Sequence, residues 1–228
     1  LLAHAVAPQW YQKKAKYGFI LVFPCGIVHG GASGHYHESW PERFLLPMKG
    51  IAIIAPSNAY EIVGLMRGAY EFSGPVAVLL QISASGLPEF TRDVPLHPFV
   101  IPLGKAHIVR EGNDFTVVTY GAACVAAATN EAAALANEGI NVEIIDLRTV
   151  HPFDKEAIVV SVKKTGRFAI FHEDCASHGS VGEMILGALS QNPSFAYYLR
   201  CAPSIVGSSD PFISTDLDLV WNSLPYER

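Results

Sequence analysis

The apolar positions of this chain alternate between two rhythms. Short continuous β-type runs occur at 19–23 (FILVF), 51–55 (IAIIA), 76–80 (VAVLL), 115–120 (FTVVTY), 142–146 (VEIID) and 168–171 (FAIF). Runs of this length that are apolar on both faces are the pattern of strands inside a parallel sheet. Between them lie stretches with helical spacing. Over 59–72, Ile62, Leu65, Met66 and Ala69 share one face, as on an amphipathic helix. Pro56-Ser57-Asn58 stops the strand before it and supplies a cap, and Ser73-Gly74-Pro75 ends it. An Ala-rich helix is predicted over 122–138, closed by Gly139, the residue favoured in left-handed geometry at a helix end. Pro152-Phe153-Asp154 opens the next helix, which reaches Lys164. A short helix starts at Trp40-Pro41, another covers 179–191, a last parallel strand is expected at 197–201, and a closing helix at 217–221.

Strands separated by helices, joined by right-handed crossovers, give an α/β fold with a mostly parallel sheet and helices on both faces. The periodicity dissolves over 83–100, a stretch containing Pro88, Pro95 and Pro98, which reads as an interdomain linker. Two domains are therefore expected, 1–95 including the linker and 96–228.

Half of the 228 residues are hydrophobic and 16% are charged. That is more apolar than an average soluble domain and fits an obligate oligomer. With a net charge of −5 and no basic run longer than Lys13-Lys14, the electrostatic footprint of a nucleic-acid binder is missing. The most apolar stretch, 17–28, is broken by Pro24 and falls short of the roughly 20 residues that span a bilayer. Cys25, Cys124, Cys175 and Cys201 form no CxxC pair, so free thiols in a reducing compartment are expected. The opening Leu1-Leu2-Ala3 has neither Met nor the charged start of a signal peptide. A processed, truncated or incompletely represented N-terminus is expected.

Candidate chemistry gathers in the Gly/His-rich loop 26–37, which follows a buried strand, a common place for ligands. His37 suits proton transfer because an imidazole with a pKa of about 6.5 both donates and accepts near neutrality; the competing reading is a loop histidine bonded to backbone. Cys25, His29, His35 and His37 are all possible zinc ligands, but their spacing matches no familiar zinc pattern, so no metal site is expected. The glycine-rich 30–34 lacks the Lys-Ser/Thr of a phosphate loop. His172-Glu173 closes a strand on the side where clefts form in parallel sheets; it is either a functional contact or an anchor for the next turn and a subunit interface. Arg148, two residues after Asp146, is expected to be an internal salt-bridge partner.

A series of motifs then runs in order: Pro102-Leu103-Gly104-Lys105-Ala106, Val118-Thr119-Tyr120-Gly121, Glu138-Gly139-Ile140, Ile145-Asp146-Leu147-Arg148-Thr149, Pro152-Phe153-Asp154, 161–167 (SVKKTGR) and His172-Glu173. Together they resemble the beta subunit of the thiamine-diphosphate-dependent 2-oxo acid dehydrogenases of the pyruvate and branched-chain type. Upstream, 36–42 (YHESWPE), Gly50-Ile51, Ala55-Pro56-Ser57 and Gly64-Leu65 are similar to the second half of that subunit's pyrimidine-binding domain. The family's first segment has no counterpart here. The resemblance implies a partial pyrimidine-binding-type domain followed by a transketolase C-terminal-type domain that is largely scaffold.

By the same resemblance, the implied activity is oxidative decarboxylation of a 2-oxo acid with acylation of lipoyl groups. The implied cofactors are thiamine diphosphate and Mg2+, both held mainly by the partner chain or the missing segment. Implied partners are an alpha subunit, a second beta copy and a lipoyl-bearing acyltransferase core, in a bacterial cytoplasm or mitochondrial matrix. His37 matches the histidine that lies over the thiazolium. Three departures stand out. The family's catalytic glutamate belongs to the segment without a counterpart. Phe72 and Gly74 replace an Asp and an Asn that help hold a monovalent cation. The family's F-L-E-H-K-x-L-Y has become 79–86 (LLQISASG), a change expected to remove polar contacts. Two other readings compete: a degenerate structural subunit, and a transketolase-type enzyme acting on sugar phosphates, for which no basic cluster stands out.

Overall fold

The structure is a computed structural model that describes residues 19–26, 40–81, 84, 86, 88–209 and 222–225. The loop carrying His37 and the expected closing helix at 217–221 lie outside the described residues.

The described residues form two sheets. The first contains β1 (Phe19–Pro24), β2 (Ala52–Ile54), β3 (Pro75–Leu80) and β7 (Thr149–His151), in the order β1-β3-β2-β7. Its first three strands are parallel, and β7 runs antiparallel against β2 with His151 opposite Ile53. The second contains β4 (His107–Arg110), β5 (Phe115–Thr119), β6 (Val142–Asp146), β8 (Phe168–Cys175) and β9 (Ser204–Ser208), in the order β4-β6-β5-β8-β9. Only its edge strand β4 is antiparallel. The α/β architecture with mostly parallel sheets agrees with the sequence reading. Because β7 follows β6 in the chain yet joins the first sheet, the two sheets are interlocked.

The helices begin where their caps stand. Helix α1 (Glu42–Leu45) is short. Asn58 accepts from the Glu61 amide at the start of α2 (Ala59–Glu71), and Asp154 accepts from the Ala157 amide at the start of α4 (Lys155–Thr165). Helix α3 (Ala122–Asn137) is followed by Gly139 at φ +83°. Ser180 and Glu183 form a reciprocal capping box on α5 (Val181–Ser190), which satisfies two amides that the first turn leaves open.

The expected strand at 197–201 is corrected. Asn192 caps, and Pro193 opens, helix α6 (Pro193–Tyr198), and the last parallel strand is β9. Phe195 explains the choice: its buried ring meets that of Phe168 edge-on at 5.2 Å, which fixes this turn against β8 as a helix. Strand β8 also runs longer than expected, and β4 and β7 are additional.

The far end of the linker region is packed. Ile101 is buried and its amide donates to the Gly64 carbonyl of α2, while Phe99 stacks on Tyr60 at 4.4 Å. Cβ atoms at Gly64 and Gly68 would run into this segment. All four cysteines are free thiols. Among the described residues, no helix is long and apolar enough to cross a membrane.

Candidate functional site at the seam between the sheets

In the second sheet, α3 leads from β5 to β6 on one side while β8 lies on the other, so the crevice at the carboxyl ends of β5 and β8 is where such sheets bind ligands. Here the first sheet fills it. Gln81, one residue past β3, sends its amide nitrogen to the Glu173 carboxylate, and its carbonyl oxygen accepts from the Ala123 amide of α3 at 2.9 Å. Gly121 stands at φ +79°, and a Cβ there would lie 2.8 Å from Gln81 Oε1. Backbone geometry and close approach thus both require glycine. The expectation that the altered 79–86 segment loses its polar contacts is corrected at its third residue, since Gln81 joins β3 to β8 and α3. Gln81→Leu leaves the buried Glu173 without this donor and is expected to lower stability by about 1–3 kcal/mol, measurable as a shift in the urea midpoint.

Beside Gln81 lies a second buried polar group. Glu42 in the first turn of α1 accepts the Tyr120 hydroxyl at 2.9 Å, and Arg43 grips both oxygens of Asp174 at 2.8 and 2.7 Å. Burial, reinforced by the Asp174 and Glu173 charges, pushes the Glu42 carboxyl up to about 8. Burial also raises the Cys25 and Cys124 thiols well above their ordinary range, so neither is a ready nucleophile. His172 is fully buried with its ring 6.1 Å from that of Tyr120, and burial lowers its pKa to about 4. Glu173 anchors the seam through Gln81, while His172 is a neutral packing element.

On the other side of α3 opens a cleft of about 860 Å³. Arg148 Nε pairs with the buried Glu61 at 2.6 Å, as the sequence reading of an internal salt bridge expects. The Arg148 amide and the Ser57 hydroxyl both donate to Asp146. Burial and the neighbouring Glu61 charge raise the Asp146 carboxyl. Arg148 holds a left-handed φ of +56°, strain that persists in a non-glycine residue only where the surroundings enforce it.

His37, the candidate catalytic residue, lies outside the described residues. Among the described residues, no group of three or more His, Cys, Asp or Glu side chains is arranged to hold a metal ion. Phe72 and Gly74 stand at the end of α2, where neither side chain offers a cation ligand. Sequence reasoning missed Glu42, Arg43 and Tyr120. Their partners stand 78 and 131 positions away, and no local spacing announces such pairs.

Residues 104–212 match the family described as "Transketolase, C-terminal domain". The 2-oxoisovalerate dehydrogenase subunit beta of Bacillus subtilis is 36% identical over 170 residues, covering 75% of this chain and 50% of that protein. The mitochondrial counterpart of Dictyostelium discoideum is 36% identical over 195 residues, covering 83% and 50%. The pyruvate dehydrogenase E1 component subunit beta of Acholeplasma laidlawii is 36% identical over 182 residues, covering 78% and 53%. The chain spans about half the length of these curated relatives. Among solved structures, an inactive beta4 tetramer of a split-gene transketolase superposes with a TM-score of 0.66 at 23% identity, covering 90% of this chain and 60% of that one. A Campylobacter jejuni transketolase gives 0.58 at 16%, covering 89% and 28%. These two agree with the chain in fold.

Proposed function

For a chain whose residues 104–212 belong to the transketolase C-terminal domain family and whose relatives are beta subunits of branched-chain 2-oxo acid and pyruvate dehydrogenases, we propose the role of beta part in a 2-oxo acid dehydrogenase. The assembly would decarboxylate a 2-oxo acid oxidatively and acylate lipoyl groups. The single observation that carries this reading is the 36% identity to dehydrogenase beta subunits over 170 to 195 residues, a stretch longer than the 109 residues of the matched domain family. An alpha subunit, a second beta copy and a lipoyl-bearing acyltransferase core are the proposed partners. The division near residue 95 into a pyrimidine-binding-like part and a transketolase C-terminal-like part belongs to the same proposal.

Thiamine diphosphate, where bound, supplies the electron sink for decarboxylation. The described residues do not fit it: the Ala123 amide at the head of α3 is taken by Gln81, and no metal-holding cluster stands nearby. The resemblance to the dehydrogenase beta subunits supports a cofactor and Mg2+ held mainly by the partner chain or by the family's first segment. What the described residues do is hold the seam: Tyr120 and Arg43 tie α1, the first element after the loop of His37, to the second sheet.

His37 is proposed as the catalytic acid–base. In the complete assembly, His37→Ala is expected to lower lipoamide-coupled turnover by about 10²–10⁴-fold while leaving thiamine diphosphate binding nearly intact. Steady-state kinetics with a parallel cofactor titration checks this, and unchanged turnover would remove His37 from the mechanism.

A further inference from the structure

We propose that Glu42 and Trp40 hold a single internal water at the seam between the two sheets, with Glu42 present as the neutral carboxylic acid. Glu42 is only 2% exposed, and its Oε1 is occupied by the Tyr120 hydroxyl. Its Oε2 and the indole nitrogen of Trp40 are both buried, and among the described residues neither has a hydrogen-bond partner. Unmet buried polar atoms are uncommon in folded proteins and call for a specific explanation. Both side chains line one cavity of about 10 Å³, together with Gln81 and Glu173. A water needs about 10–15 Å³ and two to four polar partners, so the cavity suits one water and no larger ligand.

The valences close around that water. Indole N–H only donates, so the water accepts from Trp40. With the acid proton on Oε2, Glu42 makes the second donation. The water's own hydrogens are left for the acceptor oxygens of Glu173 and Gln81 that line the same cavity. An ionised Glu42 would leave one donor fewer and one charge more. The groups around it are Glu173 and Asp174 on β8, Tyr120 after β5, Cys124 on α3, Cys25 after β1 and its neighbour Arg43. Arg43, the cation among them, is paired with Asp174.

The folded-state pKa of Glu42, about 8, lies above its ordinary value of 4.5. The stabilisation from the bound proton is therefore fully present below about 4.5, falls as pH rises, and is lost once pH passes about 8. Above that point three carboxylates face one another across the seam.

Infrared difference spectroscopy on the full chain, alone or in its assembly, tests this. Wild type is expected to show the C=O stretch of a protonated carboxylic acid at neutral pH, lost as pH rises through about 8 and absent from Glu42→Gln. Trp40→Phe, which removes the water's indole donor, shifts that band. If Glu42→Gln does not fold, the pH titration of the wild-type band and its shift in Trp40→Phe decide alone. No acid band at neutral pH, or a band that Trp40→Phe leaves unmoved, overturns the proposal.

Discussion

Arg148→Met is expected to destabilise the chain by about 3–5 kcal/mol, because it removes one partner of a buried ion pair and strands the other. Glu61 is 1% exposed and its carboxylate also receives the Ser57 amide. Asp146, equally buried, sits close enough to feel the Glu61 charge. Without the guanidinium, two buried carboxyl groups would stand side by side in the wall of the cleft with no ion-pair partner. Methionine keeps most of the side-chain volume, so packing loss is small and the measured change reports the charge. Adding Glu61→Gln to Arg148→Met should restore at least about half of the loss, since replacing both members of a buried pair costs far less than removing one. Chemical denaturation at neutral pH gives both numbers. A single variant within about 0.5 kcal/mol of wild type would mean that water reaches the pair and screens it.

Gly68→Ala is the second large effect. A Cβ at this position would collide with the backbone carbonyl oxygen of Ile101 and lie 2.9 Å from Leu103 Cδ1. The carbonyl cannot turn aside as a side chain can, so the 99–103 segment must lift from α2, taking with it the Ile101 amide bond to Gly64 and the Tyr60–Phe99 stack. Overpacking of this kind costs about 1–3 kcal/mol and more where backbone must move. Gly64→Ala meets chiefly the Ile101 and Phe99 side chains, so it is expected to cost less. Hydrogen exchange at Ile101 should accelerate in Gly68→Ala well beyond the Gly64→Ala variant.

The parts of the fold that could be read from the chain are those whose pattern is local. Strands β2, β3, β5 and β6 lie inside sheets and so are apolar on both faces, and Asn58, Asp154 and Gly139 mark helix ends because capping chemistry acts within one turn. Strand β7 could not be read: it has three residues, and its place comes from pairing with β2, a tertiary event. Strand β4 is a partly exposed edge carrying His107 and Arg110, with little apolar signal. At 197–201 the aromatic pair Tyr197-Tyr198 imitates a strand, yet Tyr197 is 80% exposed; the aromatic rings mark a surface, and the cap at Asn192 decides the element.

The seam follows the same rule. Arg148 was readable as a salt-bridge residue because its neighbour Asp146 stands two positions away, although its ion-pair partner proved to be Glu61. Gln81 was misread because its sequence neighbours had changed, while its own amide still spans β8 and α3. Glu42, Tyr120, Arg43 and Asp174 are joined only by the packing of one sheet's carboxyl ends against the other's. Buried carboxyl groups with distant partners leave no spacing to detect.

The most direct test of the proposed function is a substrate assay on the proposed assembly, reconstituted from the protein at full length, an alpha subunit, thiamine diphosphate and Mg2+. Branched-chain 2-oxo acids, pyruvate and ketose phosphates are offered in turn, and acylation of a lipoyl domain is followed. The account predicts lipoyl acylation with at least one 2-oxo acid and none with a ketose phosphate. Ketol transfer between sugar phosphates, or no 2-oxo acid turnover in an assembly that has bound the cofactor, would contradict it.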